Sequence, residues 1–224
     1  MNESPTPHVL AVGIVDTQRI AGSAGVNMSW TRLGVAPPGD GRTLRAVFGR
    51  SDETFRRLDT ASRMLVLAGA AAGLPDVLPN GAAAATGIVV ETSLGCLDAD
   101  LRFARSMAAG MCDGPVFAYT LPSTGLGELA LRHGLRGPTV CLSTVPEQRG
   151  MALREAALLL ATGECDLVVA GLVDVLATPC AEFEATCRTL LAVLGSPRLG
   201  LPAIAPWPGD DAAAYERLLA AIPG

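Results

Sequence analysis

Residues 141–171 read CLSTVPEQRGMALREAALLLATGECDLVVAG, and the rest of the chain is read outward from them. PTVCLST (138–144) has the length and apolar content of a strand. A sharp elbow follows at Val145, Pro146, Glu147 and Gln148. Residues 147–162 carry apolar side chains at helical spacing, and CDLVVAGLVDV (165–175) is a further strand. Many α/β enzymes carry a nucleophile on such an elbow, because the positive end of the following helix stabilises an anion there. This elbow holds no nucleophile.

In MALREAALLLA (151–161) the two charged residues, Arg154 and Glu155, are adjacent, and the remaining circumference is Ala, Leu and Met. A helix lying on one sheet normally keeps a broad polar face. This helix is expected to lie between two apolar layers.

Moving outward, VLAVGIV (9–15) reads as a buried strand. Residues 16–50, rich in Gly, Pro and Arg, read as an irregular excursion with at most a short helix. FRRLDTASRMLVLAGAAAGL (55–74) reads as one helix, with Leu58, Met64, Leu65 and Leu67 at helical spacing and Gly73 at its stop. GIVVETSLG (87–95) is strand-like. Asp98 is placed to cap a helix over 98–109 that ends near Gly110. PVFAYTLPS (115–123) reads as a strand, and TGLGELALRHG (124–134) as a short helix closed by Gly134. In the tail, EFEATCRTLLAVLG (182–195) reads as a helix, a Pro/Gly-rich stretch follows, and AAAYERLLAAI (212–222) is a last short helix. Strands alternating with helices predict an α/β domain with a mixed, mostly parallel sheet and helices on both faces. The division is residues 1–179 as the domain and 180–224 as a tail packing on it or on a partner.

With 224 residues, half of them apolar and 17% charged, the chain is greasy and long enough for a substantial core. Charged residues interrupt every apolar stretch, so no membrane span is read. MNESPTPHVL lacks the basic and apolar regions of a secretion signal, and a cytoplasmic setting is expected. A net charge of −5 and few aromatics argue against a nucleic-acid partner. All 17 basic residues are arginines, which excludes lysine-dependent chemistry within the chain. The six cysteines form no CxxC and there are two histidines, so neither a metal site nor a cofactor is assigned. The cysteines read as free thiols in a reducing compartment.

Gly125-Leu126-Gly127 opens GLGELA, which fits a GxGxxA dinucleotide fingerprint, with Glu147 at the distance of a ribose-binding acid. The residues LPST separate those glycines from the preceding strand, so close helix packing is the competing explanation. Cys141 is the fallback nucleophile, placed mid-strand and away from a helix N-terminus. His133, at a polar helix end, reads as solvated or as a C-cap. GSAG (22–25) does not match GxSxG. The acids at 98, 100, 147, 164 and 166 form no evident acid/base pair.

Four segments together resemble the N-terminal half of the β-ketoacyl synthases, within the thiolase-like superfamily. They are RRLDTASRMLVLAGAAAGL, GIVVETSLG, FAYTLPSTGLGELALRHGLRGPTV and ALREAALLLATGECDLVVAGLVDV, covering about residues 55–175 in the family's order. The resemblance implies half of a thiolase-like fold, in which the helix after the elbow belongs to a central layer covered by the other half. Leu121, Pro122, Met151, Leu153 and Leu158 are then candidates for an acyl pocket or partner surface.

Two departures from the family shape the expected function. Active members have Thr-Ala-Cys at the elbow, and counting back without gaps from Ala152-Leu153 puts the cysteine's position at Pro146. Proline offers neither a nucleophile nor an N–H. The family's two histidines and lysine belong to a C-terminal half that this chain does not complete. The resemblance therefore implies a non-catalytic ketosynthase-like subunit of a fatty-acid or polyketide-type system, of the chain-length-factor or aryl-polyene kind. Its expected partners are a ketosynthase subunit or a second copy, and an acyl carrier protein. The alternatives are an acyl-transferring or condensing enzyme using Cys141 or a partner's residues, and a nucleotide binder through Gly125-Leu126-Gly127. The apolar helix at 147–162 is expected to be covered by a partner, a second copy or the 180–224 tail.

Overall fold

The structure, a computed structural model, describes residues 6–29, 45, 47–49, 52–79 and 81–222. Among these residues seven strands form one sheet: β1 (His8–Asp16), β2 (Arg19–Gly22), β3 (Asn27–Ser29), β4 (Thr86–Thr92), β5 (Thr139–Ser143), β6 (Leu167–Leu176) and β7 (Thr186–Gly195). Their order is β3-β2-β1-β7-β6-β4-β5. Helices α1 (Thr60–Ala71) and α3 (Thr124–His133) pack on one face. Helices α4 (Met151–Thr162) and α5 (Ala214–Ala220) contribute to the core on the other. Helix α2 (Leu97–Ala108) buries little beyond Asp98 and Ala99. No helix among the described residues is long and apolar enough to cross a membrane.

The α/β class and the mixed sheet agree with the sequence reading; the parallel majority does not. Strand β4 is parallel to β5 and to β6, while the other four ladders are antiparallel. The difference comes from residues 186–195. They form β7, between β1 and β6, where the sequence suggested a helix lying on the domain. The strand sends Cys187, Leu191 and Val193 to one core and Leu190, Ala192 and Leu194 to the other. A strand covered on both faces loses its period-2 signal, and Leu190, Leu191, Ala192 and Leu194 suit a helix as well.

Three other elements depart from expectation. Residues 115–123 are not a strand. Asp113 accepts a hydrogen bond from the Val116 amide (3.1 Å), Pro115 suits a helix start, and a single turn Gly114–Phe117 forms, followed by turns leading into α3. The irregular stretch after residue 15 contains the β2–β3 hairpin, entered by a turn in which Asp16 accepts from the amides of Gln18 and Arg19. Residues 30–44 of that stretch lie outside the described residues. The expected helix 55–74 breaks at extended Leu58. Asp59 caps a new start by accepting from Ser62 (3.0 Å) and Ala61 (3.3 Å). Asp98 is no cap: within α2, its carboxylate accepts from the Ala177 amide at 2.8 Å and the Thr60 hydroxyl at 3.4 Å.

Helix α1 sits against the sheet backbone to backbone. A Cβ on Gly13 would lie 2.0 Å from the Ala68 carbonyl oxygen, and one on Gly22 would lie 2.2 Å from that of Ala71. Gly73, at φ +72°, turns the chain out of the helix.

At the end of α3, His133 is half-buried rather than fully solvated. Its Nε2 is buried without a partner, and Gly134 in the left-handed region closes the helix. Burial, and then the neighbouring Arg132 charge, pull its pKa from 6.5 to about 4. The folded form therefore resists a proton that the unfolded chain accepts. Stability should fall as pH drops through the window from 6.5 to about 4, by up to roughly 3 kcal/mol. His133→Gln should flatten that slope in urea titrations across the window. Asp52, whose pKa goes from 3.8 to about 2 beside Arg132, acts below the window.

Candidate functional site

At the carboxyl ends of β4 and β6 two acids stand in otherwise apolar strands, and both are buried: Glu91 (1% exposed) and Asp174 (5% exposed). The elbow between β5 and α4 folds over them. Val145 is extended, Pro146–Gln148 make one 3₁₀ turn, and Gly150 enters α4 at φ +104°. A side chain at Gly150 is excluded twice, by that φ and by the Asp210 carbonyl oxygen, which would stand 2.4 Å from a Cβ.

Glu91 reaches the start of α4. Its Oε1 accepts from the Gly150 amide at 2.9 Å and its Oε2 from the Ala152 amide at 2.7 Å. The helix end that would stabilise a bound anion already holds a carboxylate. Asp174 organises the turn after β4. It accepts from the Ser93 amide (2.8 Å) and hydroxyl (2.8 Å), the Leu94 amide (3.2 Å) and the Thr92 hydroxyl (3.2 Å). Arg149, from the elbow, donates to it at 3.0 Å.

Helix α5 closes the site from the tail. Ala214, Tyr215 and Leu218 are buried in the same apolar cluster as Ala152, Leu153 and Ala156 of α4. The tail thus covers part of the helix that the sequence left without a lid. Tyr215 is 1% exposed, and its hydroxyl is buried without a hydrogen-bond partner. Burial, then the nearby Glu91 charge, raises its pKa well above the ordinary phenol value.

The residues singled out from sequence are dispersed. Val145, Pro146, Glu147 and Gln148 are all solvent-exposed, one turn ahead of α4. Cys141, on β5, packs against the core formed by α1 and α3, and burial raises its thiol pKa, which disfavours the reactive thiolate. Leu153 is fully buried, whereas Met151 and Leu158 are exposed on α4. Leu121 and Pro122 line a separate crevice of about 20 Å³ with Gly95 and Gly125, which includes neither Met151 nor Leu158. That volume suits a water molecule rather than an acyl chain.

Gly125-Leu126-Gly127 does not follow a strand, so the dinucleotide context is absent. A Cβ on Gly125 would lie 2.8 Å from Leu65 Cδ1, so this glycine lets α3 approach α1, and Leu126 is buried. The sequence reading passed over Glu91, Asp174, Arg149 and Tyr215. A signal was present in two of them: an acid inside an apolar strand, in GIVVETSLG and again in GLVDV, must have partners to be tolerated there.

Comparison with known proteins places this geometry. A family model described as β-ketoacyl synthase, N-terminal domain, matches residues 18–189. The Streptomyces orinoci spectinabilin polyketide synthase system protein NorC is 46% identical over 59 residues, which is 26% of this chain and 3% of that protein's length. The solved ishigamide ketosynthase/chain length factor superposes with a TM-score of 0.67 at 16% identity, covering 91% of this chain and 66% of that one. AntDE:AntF, a type II polyketide acyl-carrier protein in complex with its ketosynthase, gives 0.62 at 17% identity, covering 88% and 64%. At these identities the structural matches establish a shared fold.

Proposed function

This chain belongs to the β-ketoacyl synthase N-terminal-domain family, and we propose that within it the chain is a non-catalytic subunit that pairs with a condensing enzyme in polyketide-type biosynthesis. The observation that carries this reading is the state of the α4 N-terminus. Its Gly150 and Ala152 amides are bonded to Glu91, and the elbow before it presents Pro146 in place of a nucleophile.

Surface features support association. Among the described residues strand β5 is the sheet's edge, pairing with β4 alone, and its side chains are half-buried or exposed. An open edge offers unpaired amides and carbonyls to another strand. Val145, Met151 and Leu158 are large apolar side chains exposed on the elbow and on α4. An acyl pocket, on this reading, is completed between subunits, with Met151 and Leu158 on this chain's side. Arg56, Arg57, Arg63 and Arg102 outnumber Asp59 and Asp113 in the lining of a cavity of about 270 Å³ with Tyr119, a surface suited to the phosphodiester of an acyl carrier protein.

The direct test is incubation with an acyl-carrier thioester followed by intact-mass measurement. No adduct is expected on the native chain or on Pro146→Cys. An adduct that disappears in Cys141→Ser would establish an enzyme instead. In size-exclusion chromatography with a ketosynthase subunit, the chain should co-elute, and Leu158→Asp should weaken the complex by roughly tenfold or more. A native chain that never associates contradicts the subunit reading.

A further inference from the structure

We infer that the N-terminus of α4 is a carboxylate-binding seat and that Glu91 is its covalently tethered occupant. This rests on the non-catalytic reading and deepens it, because the chain supplies from its own β4 the negative charge that such a seat would otherwise take from a ligand.

The donors form a set. The Gly150 and Ala152 amides of a 12-residue helix each bond one oxygen of the same carboxylate. Among the described residues no ion pair reaches Glu91, since Arg149 is paired with Asp174. The helix end and two amides therefore balance a charge that is 1% exposed. A third donor stands beside them. The Tyr215 hydroxyl is buried, lacks a partner and lies near enough to Glu91 to feel its charge. Two amides bonded to one carboxylate, with a buried hydroxyl beside them, are a donor set for a carboxylate or an oxyanion. Asp210 and α5 cover the place, so an external ion can occupy it only in a variant that lacks the Glu91 carboxylate.

Glu91→Ala removes the equivalent of one acetate ion, and acetate is the probe. In thermal melts of the full chain, Glu91→Ala should lower the midpoint by about 8 °C through loss of two charge-assisted hydrogen bonds. Added acetate should restore the midpoint along a saturating curve. Chloride at equal ionic strength, and neutral acetamide, should not, and the native chain should not respond. Adding Tyr215→Phe to Glu91→Ala should weaken the acetate response about tenfold.

An equal response from native and variant chains would overturn the seat, as would rescue by acetamide equal to that by acetate. Should Glu91→Ala not fold in either salt, Glu91→Gln decides. It keeps the volume and loses the charge, so a native midpoint in that variant also overturns the inference. Acyl labelling reads a different quantity, so failure of the seat leaves the non-catalytic reading separately tested.

Discussion

Replacing Asp174 with alanine should remove about 5 kcal/mol of folding stability, seen as a large drop in the urea midpoint at neutral pH. The carboxylate is 5% exposed and accepts from two amides and two hydroxyls of residues 92–94, as well as from Arg149. Alanine leaves those donors facing a hole, and a guanidinium 27% exposed without its counter-ion. Asp174→Asn keeps the shape and one acceptor, and should cost about half as much. An Asp174→Ala midpoint equal to the native one would mean that the turn after β4 and the elbow hold themselves without it.

The second large effect is expected from a single methyl group. Gly13→Ala puts a Cβ 2.0 Å from the Ala68 carbonyl oxygen and 2.6 Å from the Ala72 amide nitrogen. Both neighbours are backbone, so neither can rotate away, and α1 must lift from β1 along its length. A loss of at least about 4 kcal/mol is expected, with a broadened thermal transition. Gly127→Ala is the matched contrast. It lies inside α3 with nothing within 4 Å of a Cβ, and should instead gain about 0.5–1 kcal/mol from helix propensity. If both alanines behave alike, the close packing of α1 is not what fixes Gly13.

The sequence revealed elements rich in β-branched residues or whose ends carry a signal. Helix α3 stops at Gly134, α4 follows its elbow, and β1, β4, β5 and β6 lie where apolar runs put them. Strand β7, covered on both faces like β4 and β6, was illegible because Leu190, Leu191, Ala192 and Leu194 suit a helix as readily as a strand, whereas those strands are rich in Val and Ile. Residues 115–123 erred in the opposite direction: they are apolar enough for a strand, but Asp113 caps a helical turn there. Within the site, an elbow over 145–148 without a nucleophilic side chain was visible in the letters. The carboxylate in the helix end was not, because Glu91 and Gly150 lie 59 residues apart and meet only through the parallel ladders of β4. The covering of α4 was anticipated as a need, and Tyr215 supplies part of it from a helix of seven residues.

Strand β7 also sets a timetable for the newborn chain. Leu194 and its neighbours are the mortar between β1 on one side and β6 on the other. His8 meets Gly195 in the finished ladder, so at a ribosomal pace of roughly 5–20 residues per second the first strand waits on the order of ten seconds for its neighbour. Until then two half-built walls stand apart, each with a raw apolar margin.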